Sequence, residues 1–251
     1  MALHSSISVA SPASSVSPGM RDRLIVALDV SSAVEAQKMV QRIGEAAGIY
    51  KVGLQLFTSE GPGFVRDLIA SGRKVFLDLK LHDIPNTVSH AAKAAAELGV
   101  HMLTVHASGG SAMLRAAVEA AAGRVNILAV TVLTSLSTDD LNEIGVPGEI
   151  TDQALRTAAL AQNAGCQGIV SSPRELVPLR KQVGKDFLIV TPGIRPAGAE
   201  THDQQRIATP SLAIANGASH IVVGRPITHA SDPANAAQAI IAEMEHAKNS
   251  K

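Results

Sequence analysis

Beyond residue 20 the chain switches eight times between a short run rich in β-branched residues and a longer, mostly Ala-rich stretch with helical spacing. The strand-like runs fall at 24–29, 50–53, 75–80, 102–106, 127–133, 168–171, 187–191 and 220–223. Helical spacing covers 32–47, 61–72, 86–98, 109–122, 151–164, 173–182, 210–217 and 233–247. Strictly alternating β and α segments build parallel β-α-β units. Eight such units in residues 21–251 favour closure into a (β/α)8 TIM barrel, an α/β fold in one domain. A doubly wound open sheet is the alternative, and its usual mark is a Gly-rich turn after the first strand. Here that turn reads Asp29-Val30-Ser31-Ser32, without glycine. Ser31 and Ser32 precede the first helix, Thr151 and Asp152 open another, and Asn86 and Thr87 after Pro85 are candidate caps of the third.

Composition narrows the function classes. Lys+Arg and Asp+Glu both number 22, so no basic excess points to nucleic acid as a partner. Aromatic residues are 2 % with no Trp, so a nucleotide would be held by hydrogen bonds and charge rather than by stacking. Cys166 is the single cysteine, which fits a reducing, cytoplasmic setting and a packing role. Residues 1–20 are Ser- and Ala-rich with two prolines and read as a disordered tail, without the basic start and apolar stretch of a secretory signal. No segment approaches the roughly 18 apolar residues of a membrane span, so no membrane partner is expected.

Strands of a parallel barrel are buried on both faces, so charges inside them carry information. In Val75-Phe76-Leu77-Asp78-Leu79-Lys80-Leu81, alternation puts Val75, Leu77, Leu79 and Leu81 on one face and Asp78 and Lys80 on the other. Both charges sit near the carboxyl end of the strand, where barrel active sites lie. Asp83 follows in a His-Asp-Ile-Pro loop. An isolated Asp–Lys pair also reads as a structural salt bridge. Asp29 at the end of the first strand and Lys51 in the second weaken that reading, because neighbouring strands would join Asp29, Lys51, Asp78 and Lys80 into alternating charges. A lysine flanked by carboxylates keeps its proton and can serve as a general acid.

The last two strand–loop junctions are Thr191-Pro192-Gly193-Ile194-Arg195 and Val223-Gly224-Arg225-Pro226. Barrels often bind phosphate with these two loops, where glycine admits backbone N–H groups and arginine offers a forked pair of donors. Turn glycines beside surface arginines are the bland alternative. The nine histidines include no His-Glu-x-x-His spacing, so no metal ligand set is indicated. His106 ends the fourth strand and reads as a hydrogen-bonding residue behind the site, His82 as a loop or interface residue.

The run Asp78-Leu79-Lys80-Leu81-His82-Asp83-Ile84-Pro85-Asn86-Thr87 resembles the D-x-K-x-x-D signature of the orotidine 5′-phosphate decarboxylase family. The resemblance covers residues 22–233 and includes Val26-Ala27-Leu28-Asp29, Lys51-Val52-Gly53, Leu133-Thr134-Ser135 and the two Gly-Arg junctions. It implies conversion of orotidine 5′-monophosphate to UMP and CO2, the last step of de novo pyrimidine nucleotide synthesis, without a cofactor. By that resemblance Lys80 is the proton donor, Asp78 sits beside the substrate carboxylate, and Lys51 and Asp29 hold the ribose hydroxyls. Asp83, with Ile84 and Thr87 close by, is implied to reach into the partner's site of a homodimer. Thr134 would lie near the pyrimidine. Arg195, Gln204, Gly224 and Arg225 would contact the phosphate, with Gln204 in a lid loop, and Pro192 would be a further substrate-binding residue. Two other readings stay open: a metal-dependent sugar-phosphate decarboxylase or aldolase on the same scaffold, and a non-catalytic phosphate-binding barrel. The first needs an acidic metal ligand near the end of the second strand, where Lys51 stands. The second has no use for four charges in one array.

Overall fold

The structure, a computed structural model, describes residues 18–196 and 208–249. Eight parallel strands close in chain order: β1 (Leu24–Ala27), β2 (Ile49–Gly53), β3 (Lys74–Leu81), β4 (Met102–His106), β5 (Asn126–Val130), β6 (Gly168–Val170), β7 (Leu188–Thr191) and β8 (His220–Val223). The seam between β1 and β8 is sealed by the pairs Leu24↔Ile221, Ile25↔Val222 and Val26↔Val223. The helices are α1 (Pro18–Arg21), α2 (Ala33–Ile43), α3 (Leu54–Ala70), α4 (Pro85–Leu98), α5 (Gly110–Ala121), α6 (Thr138–Glu143), α7 (Ile150–Asn163), α8 (Leu176–Val183), α9 (Pro210–Ala215), α10 (Arg225–Thr228) and α11 (Pro233–Asn249). The expected (β/α)8 barrel is therefore what forms, and the open sheet is not.

Alternation along the strands sorts the core into two layers. Ile25, Ala27, Ile49, Phe76, Met102, Leu128, Val190 and Val222 pack together inside the barrel. The other parity, including Leu24, Val26, Leu28, Val52, Val75, Leu77, Leu103 and Val105, packs against the helices. Each Leu, Ile or Val so buried contributes about 2 kcal/mol. Continuing the interior parity toward the carboxyl ends leads from Ile49 to Lys51 and from Phe76 to Asp78 and Lys80. The barrel floor is thus apolar and its mouth charged.

Several expectations are corrected at the level of element ends. Pro18–Arg21 forms a helical turn and Met20 is buried in the core, so the chain joins the barrel domain before residue 21. Residues 1–17 of the expected tail lie outside the described residues. The first strand stops at Ala27, which leaves Asp29 on the loop beyond it, and β5 stops at Val130 rather than at 133. The helix read as 61–72 begins earlier, at Leu54, and is broken at Gly61, whose φ of 64° suits glycine, before Pro62 restarts it. Asn86 and Thr87 lie inside α4, whose N-cap is Ile84 and whose first residue is Pro85. Thr151 likewise lies inside α7, with Glu149 as N-cap. Ser32 does cap α2, accepting from the Glu35 N–H. Besides α1, two short helices went unforeseen, α6 and α10. Helix α6 is announced by a capping box in which Ser137 and Asp140 bond reciprocally.

Cys166 is buried, and burial pushes its thiol up to about 12, in keeping with a packing role. No helix of the described residues is long and apolar enough to cross a membrane.

Candidate active site

Four charged side chains from three adjacent strand ends form a chain of contacts at the mouth. Lys51 Nζ donates to Asp29 Oδ1 at 2.9 Å and stands 3.7 Å from Asp78 Oδ2. Lys80 Nζ donates to the same Asp78 Oδ2 at 2.9 Å. The register explains the meeting: Lys51 pairs with Ala27 on one side and Phe76 on the other, and Gly53 pairs with Asp78. A methyl group at Gly53 would stand 2.9 Å from Lys51 Nζ, so glycine leaves the ammonium room to swing between its two acids. Asp78 has only 12 % of its side chain exposed, against 63 % for Asp29 at the rim. Removing Asp78 would leave Lys51 and Lys80 without the acid they share, at a cost of about 3–5 kcal/mol for so desolvated a partner.

The strand carrying Asp78 and Lys80 is irregular where they sit. Between Leu77 and Leu81 it advances four residues while β4 advances two, from Leu103 to Val105. Lys80 takes a positive φ of 51°, a left-handed conformation that costs a residue with a Cβ about 1–3 kcal/mol. Bulges of this kind re-aim side chains beside active sites. Opposite the bulge stands Thr104, fully buried, whose Oγ1 accepts from the Lys80 N–H at 2.8 Å and donates to Asp78 Oδ1 at 2.9 Å.

The array borders a cavity of about 500 Å³. Ala27, Phe76, Val130, Val170 and Val222 make an apolar floor, and Asp29, Lys51, Asp78 and Lys80 make one wall. Thr134, Pro192, Gly193, Arg195, Gly224 and Arg225 line the rest, so both Gly-Arg junctions open on the same space as Lys80. Arg195 is 7 % exposed; its Nη1 donates to the Ile194 carbonyl at 3.0 Å, and its backbone N–H bonds to the Ala208 carbonyl.

Three expected residues stand elsewhere. Asp83, Ile84 and Thr87 are exposed and do not line this cavity within one chain; Asp83 Oδ1 accepts from the Ile84 N–H at 2.6 Å. Gln204 lies outside the described residues. His106 packs its ring 5.4 Å from that of exposed His82 instead of entering a hydrogen bond. Burial holds the His106 imidazole below its ordinary pKa, assisted by His82 and Lys80 and opposed by Asp78. Sequence reasoning missed Thr104 and also Ser171, a buried residue on the cavity wall. The available signal for Thr104 was its place on the inward face of β4, two residues after Met102.

Residues 22–240 match the family model described as the orotidine 5′-phosphate decarboxylase / HUMPS family. A protein of Moorella thermoacetica named orotidine 5′-phosphate decarboxylase is 51 % identical over 237 residues, 91 % of this chain and 94 % of that one. A protein of the same name from Halorhodospira halophila is 53 % identical over 225 residues, 88 % of this chain and 95 % of that one. Among solved structures, orotidine 5′-phosphate decarboxylase from Lactobacillus acidophilus superposes with a TM-score of 0.80 at 43 % identity, covering 89 % of this chain and 99 % of that one.

Proposed function

The chain belongs to the orotidine 5′-phosphate decarboxylase / HUMPS family, and on that premise we propose that it converts orotidine 5′-monophosphate to UMP and CO2 with Lys80 as general acid. It is a carboxy-lyase by its kinship with decarboxylases of about half identical sequence along nearly their whole length. The observation that carries the mechanism is the 2.9 Å contact between Lys80 Nζ and Asp78 Oδ2 on the wall of a cavity that Arg195 and Arg225 also line.

When the bond from C6 to the carboxyl group breaks, its electron pair stays in an sp² orbital that the ring delocalises poorly. An ammonium group fixed at that carbon stabilises the developing charge and then delivers a proton to it, and solvent reprotonates the amine. The charge is in place before the reaction, so no reorganisation is needed at the transition state. Asp78 orients Lys80 and faces the departing carboxylate; Lys51 and Asp29 take the ribose hydroxyls, and Thr134 meets the pyrimidine. Arg195, Arg225 and Gly224, with Gln204, hold the phosphate, whose binding energy supports closure over the substrate, and Pro192 lines the same pocket. Asp83, Ile84 and Thr87 complete the site of a second copy in a homodimer. The support for that role is that Ile84 is a large apolar side chain 66 % exposed, close in sequence to the array and not among the residues that line the cavity of its own chain. The reaction closes de novo pyrimidine nucleotide synthesis and takes place in the cytoplasm.

A metal-dependent relative on the same scaffold would need an acidic ligand near the end of the second strand, and Lys51 stands there, paired with Asp29 and 3.7 Å from Asp78. The deciding experiment follows the ultraviolet absorbance of orotidine monophosphate with purified protein, with and without exhaustive chelation. Turnover unaffected by chelator is expected. No loss of the substrate band would overturn the reaction, and loss abolished by chelator would overturn the metal-free mechanism.

A further inference from the structure

We propose that Thr104 is a positioning residue that holds Asp78 and the strained backbone of Lys80 in their reactive geometry, a role that rests on the assignment of Lys80 above. At the irregular stretch of β3 the regular ladder with β4 is interrupted, since Leu77 pairs with Leu103 and the next pair is Leu81 with Val105. A backbone N–H in such a gap has lost its main-chain acceptor, and burying it unpaired is costly. The Thr104 hydroxyl takes the place of that acceptor for Lys80, at 2.8 Å, and spends its own proton on Asp78 Oδ1, at 2.9 Å.

One oxygen therefore ties together the two residues on which the chemistry depends. Its bond to Oδ1 fixes the plane of the Asp78 carboxylate and so aims Oδ2 at both ammonium groups, 2.9 Å from Lys80 and 3.7 Å from Lys51. Its bond to the Lys80 N–H supports a φ of 51°, which directs the side chain to the interior face. A hydroxyl performs both tasks through one atom, accepting and donating at once. A core position needs no hydroxyl: Met102, the previous inward residue of β4, is apolar and packs in the barrel interior. Valine has almost the shape of threonine but would strand the Lys80 N–H and leave Asp78 Oδ1 without its donor.

The test compares Thr104→Val and Thr104→Ser with the wild type, by steady-state kinetics on orotidine monophosphate and by crystallography. Thr104→Val is expected to lower kcat about 10²-fold, the scale of a misplacement of roughly 1 Å at a reacting group, while KM changes less than about threefold. Thr104→Ser, which keeps the oxygen, is expected to retain at least about a third of kcat. If the valine variant does not fold, Thr104→Ala serves in its place. A kcat in the valine or alanine variant within about threefold of wild type overturns the proposal, as does an equal loss in the serine variant. The crystal structure of the valine variant is expected to show Lys80 relaxed to negative φ and its Nζ beyond hydrogen-bond reach of Asp78. An unchanged Lys80 there overturns the positioning role whatever the substrate, whereas a wild-type protein inert toward orotidine monophosphate overturns the proposed reaction instead.

Discussion

The two ends of the barrel both carry charge, but two arginines at one end keep different company from two lysines at the other. At the amino-terminal end, Arg23 donates from Nε and Nη2 to the carbonyls of Ser219 and Ala218 at 2.7 and 2.6 Å. Nearby Arg180, on α8, bonds to the carbonyls of Gly217 and Phe187 and to Ser219 Oγ. At the mouth, Lys51 and Lys80 are bonded to carboxylates, not to carbonyls. A guanidinium with several of its donors spent on main-chain oxygens is a staple, and its proton is never released. An ammonium held by side-chain carboxylates beside an open cavity can turn its charge toward a bound molecule and give up a proton. One end therefore holds the barrel together, and the other end is arranged to act.

This contrast breaks most sharply at Lys80. Lys80→Ala is expected to lower turnover of orotidine monophosphate by about 10⁴-fold or more, while the melting temperature moves by less than about 5 °C. Asp78 keeps Thr104 and Lys51 as partners in that variant, so the fold loses little. Near-normal turnover would remove Lys80 from the mechanism. Arg180→Ala is the mirror experiment. Losing its bonds strands several carbonyls and costs about 3 kcal/mol, which lowers the melting temperature by roughly 6–12 °C in a chain of this size. Its kcat is expected to stay within about twofold of wild type, and an unchanged melting temperature would show that the staple holds nothing. Arg225→Ala tests the mouth again, from the side opposite Lys80. It is expected to weaken binding of the phosphorylated substrate about 10²-fold while leaving binding of the unphosphorylated nucleoside unchanged. Equal weakening of both would place the arginine away from the phosphate.

The same contrast sets what was legible in the sequence. Alternation put Asp78 and Lys80 on the inward face from Val75 to Leu81 alone, and both do line the cavity although the strand is bulged there; the array with Asp29 and Lys51 followed from strand adjacency. The two Gly-Arg junctions were legible because a barrel fixes which loops meet. Thr104 was not, because its importance comes from a register shift between β3 and β4, and nothing local in either strand announces a shift. The early start of α3 was hidden by Gly61 and Pro62, which punctuate a helix on both sides of a break. Ile84 became the N-cap of α4 although Asn86 and Thr87 are better capping residues, because Pro85 is suited to the first helical position and starts the helix before them. Asp83 reads as a site residue in sequence, yet it is exposed and does not line the cavity of its own chain, because the chain leaves the strand at Leu81 and enters the loop before α4.

The smallest expected effect separates the two ends by pH. His220 shares the inward face of β8 with Val222 at the amino-terminal end, and burial lowers its imidazole to about 4. Arg23 lowers it further, as do His101 and Lys74, and Asp22 alone opposes them. In the unfolded chain the same group titrates near 6.5. Between those values the unfolded chain binds the proton and the folded chain does not, so acid favours unfolding. The stability that His220 contributes is complete above 6.5 and is lost as the pH falls to about 4. Since the ring keeps partial contact with water, the loss is about 1–2 kcal/mol. His101 is also lowered by burial and adds to the slope, so the informative quantity is the difference between wild type and His220→Gln. Denaturant midpoints at pH 7.5 and 4.5 are expected to converge in the glutamine variant relative to wild type. Parallel slopes would mean that the imidazole is already protonated in the fold, and that this end of the barrel tolerates a charge its carbonyls do not hold.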